Sequence, residues 1–426
     1  MRTTAVRRLI AGLTLALGVV GLLLLAGGWY FADQIRTDGL STTATAAAYD
    51  LTVTSVTGTT VGLHEGAGQP QNVMLRAPGV YGLTWAGGTG VLSANHSLGG
   101  GGGGAARRTL TLTTGVAPGV GSPARLRRDV FDTPAQATGI TAQDAVIPCA
   151  AGQCPAWFLP GASTTWAILV HGKGATRTEP LRALRAVHAA GVPALVISYR
   201  NDPGTPADPS GYHRYGATEW TDLDNAVVYA QHRGAQNVVL VGFSMGGGII
   251  ASFLEHSSRR SVITGLVLDA PMLSFRRTVT YGASQRRLPL VGLPIPQPLT
   301  WTAQTLAGWR FGISWDNIDY VSGGWLRAPT LLFHGTEDDT VPIATSDDLR
   351  RAHPQLVQEI RVDNAAHVAS WNADPGRYTT TLQAFVQRVV PVDNAARPRT
   401  NGPAAATASP APSTSRQPEL RERSRG

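Results

Sequence analysis

The sequence predicts an α/β fold, a mostly parallel sheet with helices on both faces, preceded by an N-terminal apolar helix and a small β-rich region. Three observations carry this. From Thr165 to Val389, apolar β-branched runs alternate with helical patterns, as when crossover helices cover both faces of a parallel sheet. From Tyr49 to Gly161, Thr- and Val-rich stretches alternate polar and apolar residues between Gly and Pro turns, a period-two pattern. At the start, Leu9–Gly28 is an almost unbroken apolar run of 20 residues, long enough to cross a bilayer as a helix.

Arg7 and Arg8 precede that run, and Trp29, Tyr30 and Phe31 follow it. The positive-inside bias then keeps the N-terminus cytoplasmic and sends the rest of the chain outward as a single-pass protein, with the aromatics as an interfacial belt. A signal peptide cut near Ala26 or Gly28 is the alternative. The formal net charge of +8 sits at the ends, in Arg2, Arg7 and Arg8 and in the tail from Arg397. The nearly neutral remainder argues against a nucleic-acid partner.

The β-rich stretch, about 45–155, reads as an accessory domain or as a sheet extension. Gly99–Gly104 is expected to form a flexible loop, and His64 and His96 to be surface or loop histidines. Cys149 and Cys154 are the only cysteines. Outside the cytoplasm a local disulfide is the expectation, with free thiols as the alternative. No second Cys/His pair has zinc-site spacing, and no cofactor is expected. Residues 395–426, rich in Pro, Ala, Ser and Arg, are expected to be disordered.

Three motifs carry chemistry. Val238–Val241 is an apolar run that meets Gly242-Phe243-Ser244-Met245-Gly246. A Gly-x-Ser-x-Gly between strand and helix sets a serine on a sharp turn, with the helix N-terminus facing developing negative charge. Leu331–Pro342 is a second buried-strand run, ending in a turn that carries Glu337, Asp338 and Asp339. His367 sits in a loop after the strand-like Ile360-Arg361-Val362.

The chain order Ser, Asp, His and the His334-Gly335-Thr336-x-Asp338-x-x-Val341-Pro342 motif resemble the α/β-hydrolase superfamily, over about residues 155–390. The resemblance implies an α/β-hydrolase domain at 156–392 with a cap insertion at about 272–327. It implies Ser244 as nucleophile, His367 as base and Asp338 as the orienting carboxylate, with Asp339 as the fallback. Ala366 stands where such enzymes often have glycine. The strand Thr165–Val170 runs into His171-Gly172-Lys173-Gly174, similar to the family's oxyanion loop, which implies the backbone N–H groups of Lys173 and Met245 as oxyanion donors. His171 and His334 are expected to be structural, and Lys173 a solvated lysine or an attractor of an acidic substrate. Ala167 occupies the place of the first glycine of a phosphate loop.

Within the domain, Thr218 is expected to cap a helix from Glu219. The cap holds Trp301, Trp309, Trp315 and Trp325, either an aromatic lid over the site or packing for the cap. The function implied is hydrolysis of a small-molecule or lipid-like ester through an acyl-enzyme, on a membrane-anchored protein. A peptidase or acyltransferase uses the same intermediate, and a catalytically silent envelope protein is the non-enzymatic alternative.

Overall fold

The computed structural model describes residues 2–43, 48–66, 73–98, 104–149, 152–288 and 292–391. The glycine run Gly99–Gly103 and the tail at 395–426 lie outside the described residues. Arg2–Gln34 is one α-helix, continued by a wider turn over Ile35–Leu40. By length and composition it is able to cross a membrane. Its apolar stretch from Ile10 to Val20 is exposed, whereas Ala32, Ile35 and Leu40 belong to the main core.

Six strands follow: β1 (Leu51–Thr57), β2 (Thr60–Glu65), β3 (Tyr81–Trp85), β4 (Gly88–Leu98), β5 (Ala105–Gly115) and β6 (Pro123–Arg127). They close a barrel in the order β1-β2-β5-β4-β3-β6, which leaves no free sheet edge. Its interior holds Leu51, Val53, Leu63, Leu83 and Trp85. The buried guanidinium of Arg108 donates to the carbonyls of Gly79 (2.8 Å) and Met74 (3.2 Å).

The large sheet has eight strands: β7 (Gln143–Cys149), β8 (Gly152–Leu159), β9 (Thr165–Val170), β10 (Ala194–Ile197), β11 (Asn237–Phe243), β12 (Ile263–Asp269), β13 (Thr330–Gly335) and β14 (Val357–Val362). Their spatial order is β14-β13-β12-β11-β9-β10-β8-β7. All neighbours from β10 to β14 are parallel, and β8 pairs antiparallel with both β10 and β7. The boundary expected near residue 155 is therefore too late. β7 and β8 belong to this sheet, and β7 at its edge is buried on alternate residues only, which gives it the same texture as a barrel strand. Cys149 and Cys154 face each other across the β7–β8 turn, with Cα atoms 5.8 Å apart and sulfurs within bonding distance.

Two expectations change inside the domain. The helix after β10 starts at Trp220 without a side-chain cap. The Thr218 hydroxyl donates instead to Asp208 (2.7 Å), and the buried Glu219 carboxylate takes the N–H groups of Arg214 (2.6 Å) and Gly216 (2.9 Å). The cap holds helices Phe275–Gln285 and Gln297–Phe311, and its tryptophans divide. Trp315 and Trp325 are buried as packing, and Trp301 and Trp309 face outward.

Asp269, at the tip of β12, is buried and accepts a hydrogen bond from Ser370 Oγ (2.8 Å). Burial pushes its carboxyl up to about 6, against that hydrogen bond and the Arg182 charge. The folded-state value lies above that of an unfolded aspartate, so the contribution of the protonated form is present below about pH 4 and lost as pH rises past about 6. Asp269→Asn should gain about 2 kcal/mol of stability over wild type between pH 4 and pH 8, read from denaturant unfolding at both values. An unchanged difference would mean that the carboxylate ionises there without cost. Replacing Cys149 and Cys154 by serine should cost about 2 kcal/mol by loop-closure entropy. Thiol titration of the unfolded, unreduced protein should find no free thiol.

Candidate active site

The order of the large sheet reverses beside β9, where β10 lies on one side and β11 on the other. A crevice opens at such a switch, at the carboxyl ends of the strands. Lys173 follows β9 there, Ser244 follows β11, and the Asp338 turn follows β13.

Ser244 has φ 47° and ψ −116°, a conformation that costs a residue with a Cβ about 1–3 kcal/mol. Its N–H donates to Asp269 O (3.0 Å), and its carbonyl accepts from Gly247 (2.9 Å) and Met272 (2.9 Å). A Cβ on Gly246 would collide with the Val170 carbonyl oxygen, and one on Gly242 would stand 2.9 Å from the Gly246 carbonyl carbon. Glycine at both positions lets the turn close. Met245 opens the helix Met245–His256, so its N–H has no partner in the preceding turn.

Ser244 Oγ is 2.9 Å from His367 Nε2, and His367 Nδ1 is 2.8 Å from Asp338 Oδ2. The other oxygen of Asp338 accepts the N–H groups of Thr340 (2.9 Å) and Val341 (2.8 Å). The fallback, Asp339, instead accepts from the Thr340 hydroxyl (3.0 Å). His334 Nε2 stands 3.2 Å from Asp338 Oδ2, and its Nδ1 2.7 Å from Ser346 Oγ. The same Nε2 is 3.2 Å from the Val341 carbonyl, so the ring donates between Asp338 and Val341 while Ser346 donates to the ring. Burial would raise the Asp338 carboxyl, but the His367 charge and the hydrogen bonds from His334 and His367 hold it well below the carboxylate range.

The Lys173 loop lies against the serine: a Cβ on Gly172 would be 2.9 Å from Ser244 Cβ. The loop is fastened from below. Gly172 N–H donates to Glu179 (2.7 Å), and the buried His171 ring bridges Asp202 (2.7 Å) and the Gly172 carbonyl (2.9 Å). Tyr199 stacks on that ring with centroids 4.4 Å apart. Burial works against a charged His171, and the Asp202 carboxylate outweighs it, so the ring titrates above its ordinary value. Lys173 Nζ is not free in solvent; it donates to the Asp38 carbonyl (2.8 Å).

Behind His367, Asn372 Nδ2 donates to the carbonyls of Val80 (2.7 Å) and Arg128 (2.9 Å), and Arg128 donates to His367 O (3.0 Å). The barrel thus supports the histidine loop. Above the serine lies a cavity of 430 Å³, within the range of small-molecule sites. Ser244, His367 and Lys173 form its floor, and Phe275, Val279, Ala283 and Ala303 its cap wall; Phe31 and Ile35 of the N-terminal helix complete it. None of the four cap tryptophans lines it. Asp202, Glu179, Asn372 and the helix residues carry no local motif, and the aromatic belt reading of Phe31 hid its place in the wall.

The model of the alpha/beta hydrolase family matches residues 158–399. Similar solved structures include an esterase from Pyrococcus furiosus, 18% identical, with a TM-score of 0.47 and covering 61% of this chain and 95% of that one. Another is a thermophilic esterase from Thermogutta terrifontis, 20% identical, with a TM-score of 0.41 and covering 59% and 100%. A third is the esterase domain of a Rhodothermus marinus protein, 20% identical, with a TM-score of 0.39 and the same coverage. None of the curated proteins matches the sequence. With more than half of its length matched by the family model, the chain belongs to the alpha/beta hydrolase family.

Proposed function

We propose that this hydrolase cleaves a carboxylic ester through an acyl-enzyme on Ser244, with His367 as general base and acid and Asp338 as the orienting carboxylate. The observation that supports this best is the unbroken row from Ser244 Oγ through both His367 nitrogens to Asp338. His367 takes the hydroxyl proton as Oγ attacks the carbonyl carbon, and it returns that proton to the leaving alkoxide. Water then attacks the acyl group by the reverse use of the same base. Asp338, ionised and accepting from His367 Nδ1–H, fixes the tautomer and stabilises the imidazolium. His334 holds the carboxylate in place from the other side.

The backbone N–H groups of Lys173 and Met245 serve as oxyanion donors in this reading, each worth about 3 kcal/mol of transition-state stabilisation. The Lys173 side chain is turned to Asp38, which suits a backbone role. The apolar wall that the cap and the N-terminal helix give the cavity suits an acyl chain, while Asp38, Arg128, Arg286 and Asp339 line it elsewhere. The N-terminal helix anchors the protein in the membrane, with the hydrolase domain outside the cytoplasm.

Wild-type protein should label with a fluorophosphonate and hydrolyse p-nitrophenyl butyrate, and Ser244→Ala should do neither. Equal labelling of both would remove Ser244 from the mechanism. Asp338→Asn should keep the fold and lose about ten-thousandfold in kcat, because the histidine is then held in the wrong tautomer.

A further inference from the structure

The cap helix Gln297–Phe311 lies along the N-terminal helix. A Cβ on Gly27 would come 2.9 Å from Leu299 Cδ1, and one on Gly28 2.6 Å from Thr302 Cγ2, so the bare glycines let the two helices touch. Arg310 closes the contact. It donates to the Trp29 carbonyl (3.3 Å), pairs with Asp33 (3.1 Å) and stands 3.7 Å from the Trp29 ring centroid. These contacts hold the cap helix level with the end of the apolar run, whose hydropathic window averages 2.6 and is nowhere buried.

On the outer face of the cap helix, Trp301 and Trp309 are 64% and 76% exposed, eight residues apart and so on one stripe. Trp29 and Tyr30 are exposed as well, as is Leu293. Tryptophan and tyrosine at the end of an apolar span settle at headgroup level. Directly behind this surface is the cavity over Ser244, walled by Phe31, Gln34 and Ile35 from one helix and by Thr300 and Ala303 from the other.

From this juxtaposition we infer that the N-terminal helix is a wall of the acyl cavity as well as an anchor. The Trp301–Trp309 face docks on the leaflet, and Ser244 receives an acyl ester of a membrane lipid directly from the bilayer. The inference rests on the ester hydrolase reading and names its substrate class. Its occupant is a bilayer, because the exposed stripe continues an apolar helix long enough to span one.

The test uses the full chain in vesicles of phosphatidylcholine and phosphatidylglycerol. Lipids brominated on the acyl chain should quench wild-type tryptophan fluorescence, and Trp301→Phe with Trp309→Phe should remove most of the quenched emission. With Trp301→Glu and Trp309→Glu, hydrolysis of a fluorogenic phospholipid in the vesicles should fall tenfold or more relative to that of soluble p-nitrophenyl butyrate. Gln34→Trp, which fills the cavity from the helix side, should lower hydrolysis of p-nitrophenyl dodecanoate about tenfold relative to the butyrate. Quenching that the phenylalanine pair leaves unchanged overturns the docking, as does self-association through that face measured by light scattering. A chain-length profile unmoved by Gln34→Trp overturns the wall. A wild type inactive on every ester overturns the hydrolase reading and the substrate assignment with it, while the quenching still decides where the cap lies.

Discussion

The strand-to-helix turn at Ser244 is the constraint on which the rest of the domain depends. A residue with a Cβ is held at φ 47°, and no local interaction prefers that conformation. It persists because three strands close on it. Asp269 at the tip of β12 accepts the Ser244 N–H, the Val170 carbonyl at the end of β9 lies against Gly246, and Gly172 lies against the serine Cβ. The register of β9, β11 and β12 therefore sets the site geometry before any polar side chain is placed. The strain of about 1–3 kcal/mol is small beside the burial of three apolar central strands.

The polar part of the site obeys a second rule: a buried charge persists only where every lone pair is used. Asp338 meets it with two backbone N–H groups, the His367 ring and the His334 ring. The same rule shapes the loop of Lys173, where His171, Asp202 and Glu179 form a satisfied layer under the turn. The barrel extends it to His367, whose loop is clamped by Asn372 and Arg128. Two shells of fixed hydrogen bonds leave His367 little freedom to rotate away from Ser244, the kind of preorganisation acid–base catalysis requires.

Legibility in the sequence followed sequence distance. Ser244, Asp338 and His367 each follow a strand-like stretch, Val238–Val241, Leu331–Phe333 and Ile360–Val362, so a local signal marks each one, and the fold supplies their meeting point. Asp202 and Asn372 act across gaps that no motif spans. β7 and β8 were misplaced because an edge strand alternates like a barrel strand. Thr218 has the chemistry of a helix cap, yet Asp208 competes for its hydroxyl and wins. The tryptophans of the cap split by element, which composition does not reveal: Trp301 and Trp309 lie on the outer stripe of the helix Gln297–Phe311, and Trp315, beyond its end, packs inside with its indole N–H on the Gln304 carbonyl (3.1 Å).

The N-terminal helix was the least legible element, because its two parts have different surroundings, one exposed and the other packed into the core. From Ile10 to Val20 it is apolar but for Thr14 and exposed on all sides, a surface suited to lipid. From Gly28 onward one face turns inward, and Ala32 and Ile35 enter the same core as Tyr215 and Phe275. A hydropathy profile sees only the first part, since the second reads as an ordinary interfacial end. The physical consequence lies in the junction. A span joined to its domain by a flexible linker leaves the domain free to tumble at the surface. Here the helix is continuous into the core and is fixed by Gly27, Gly28 and Arg310 against the cap. In a bilayer, the direction of the helix would then fix the direction in which the cavity opens, and the mouth over Ser244 would keep one orientation toward the leaflet.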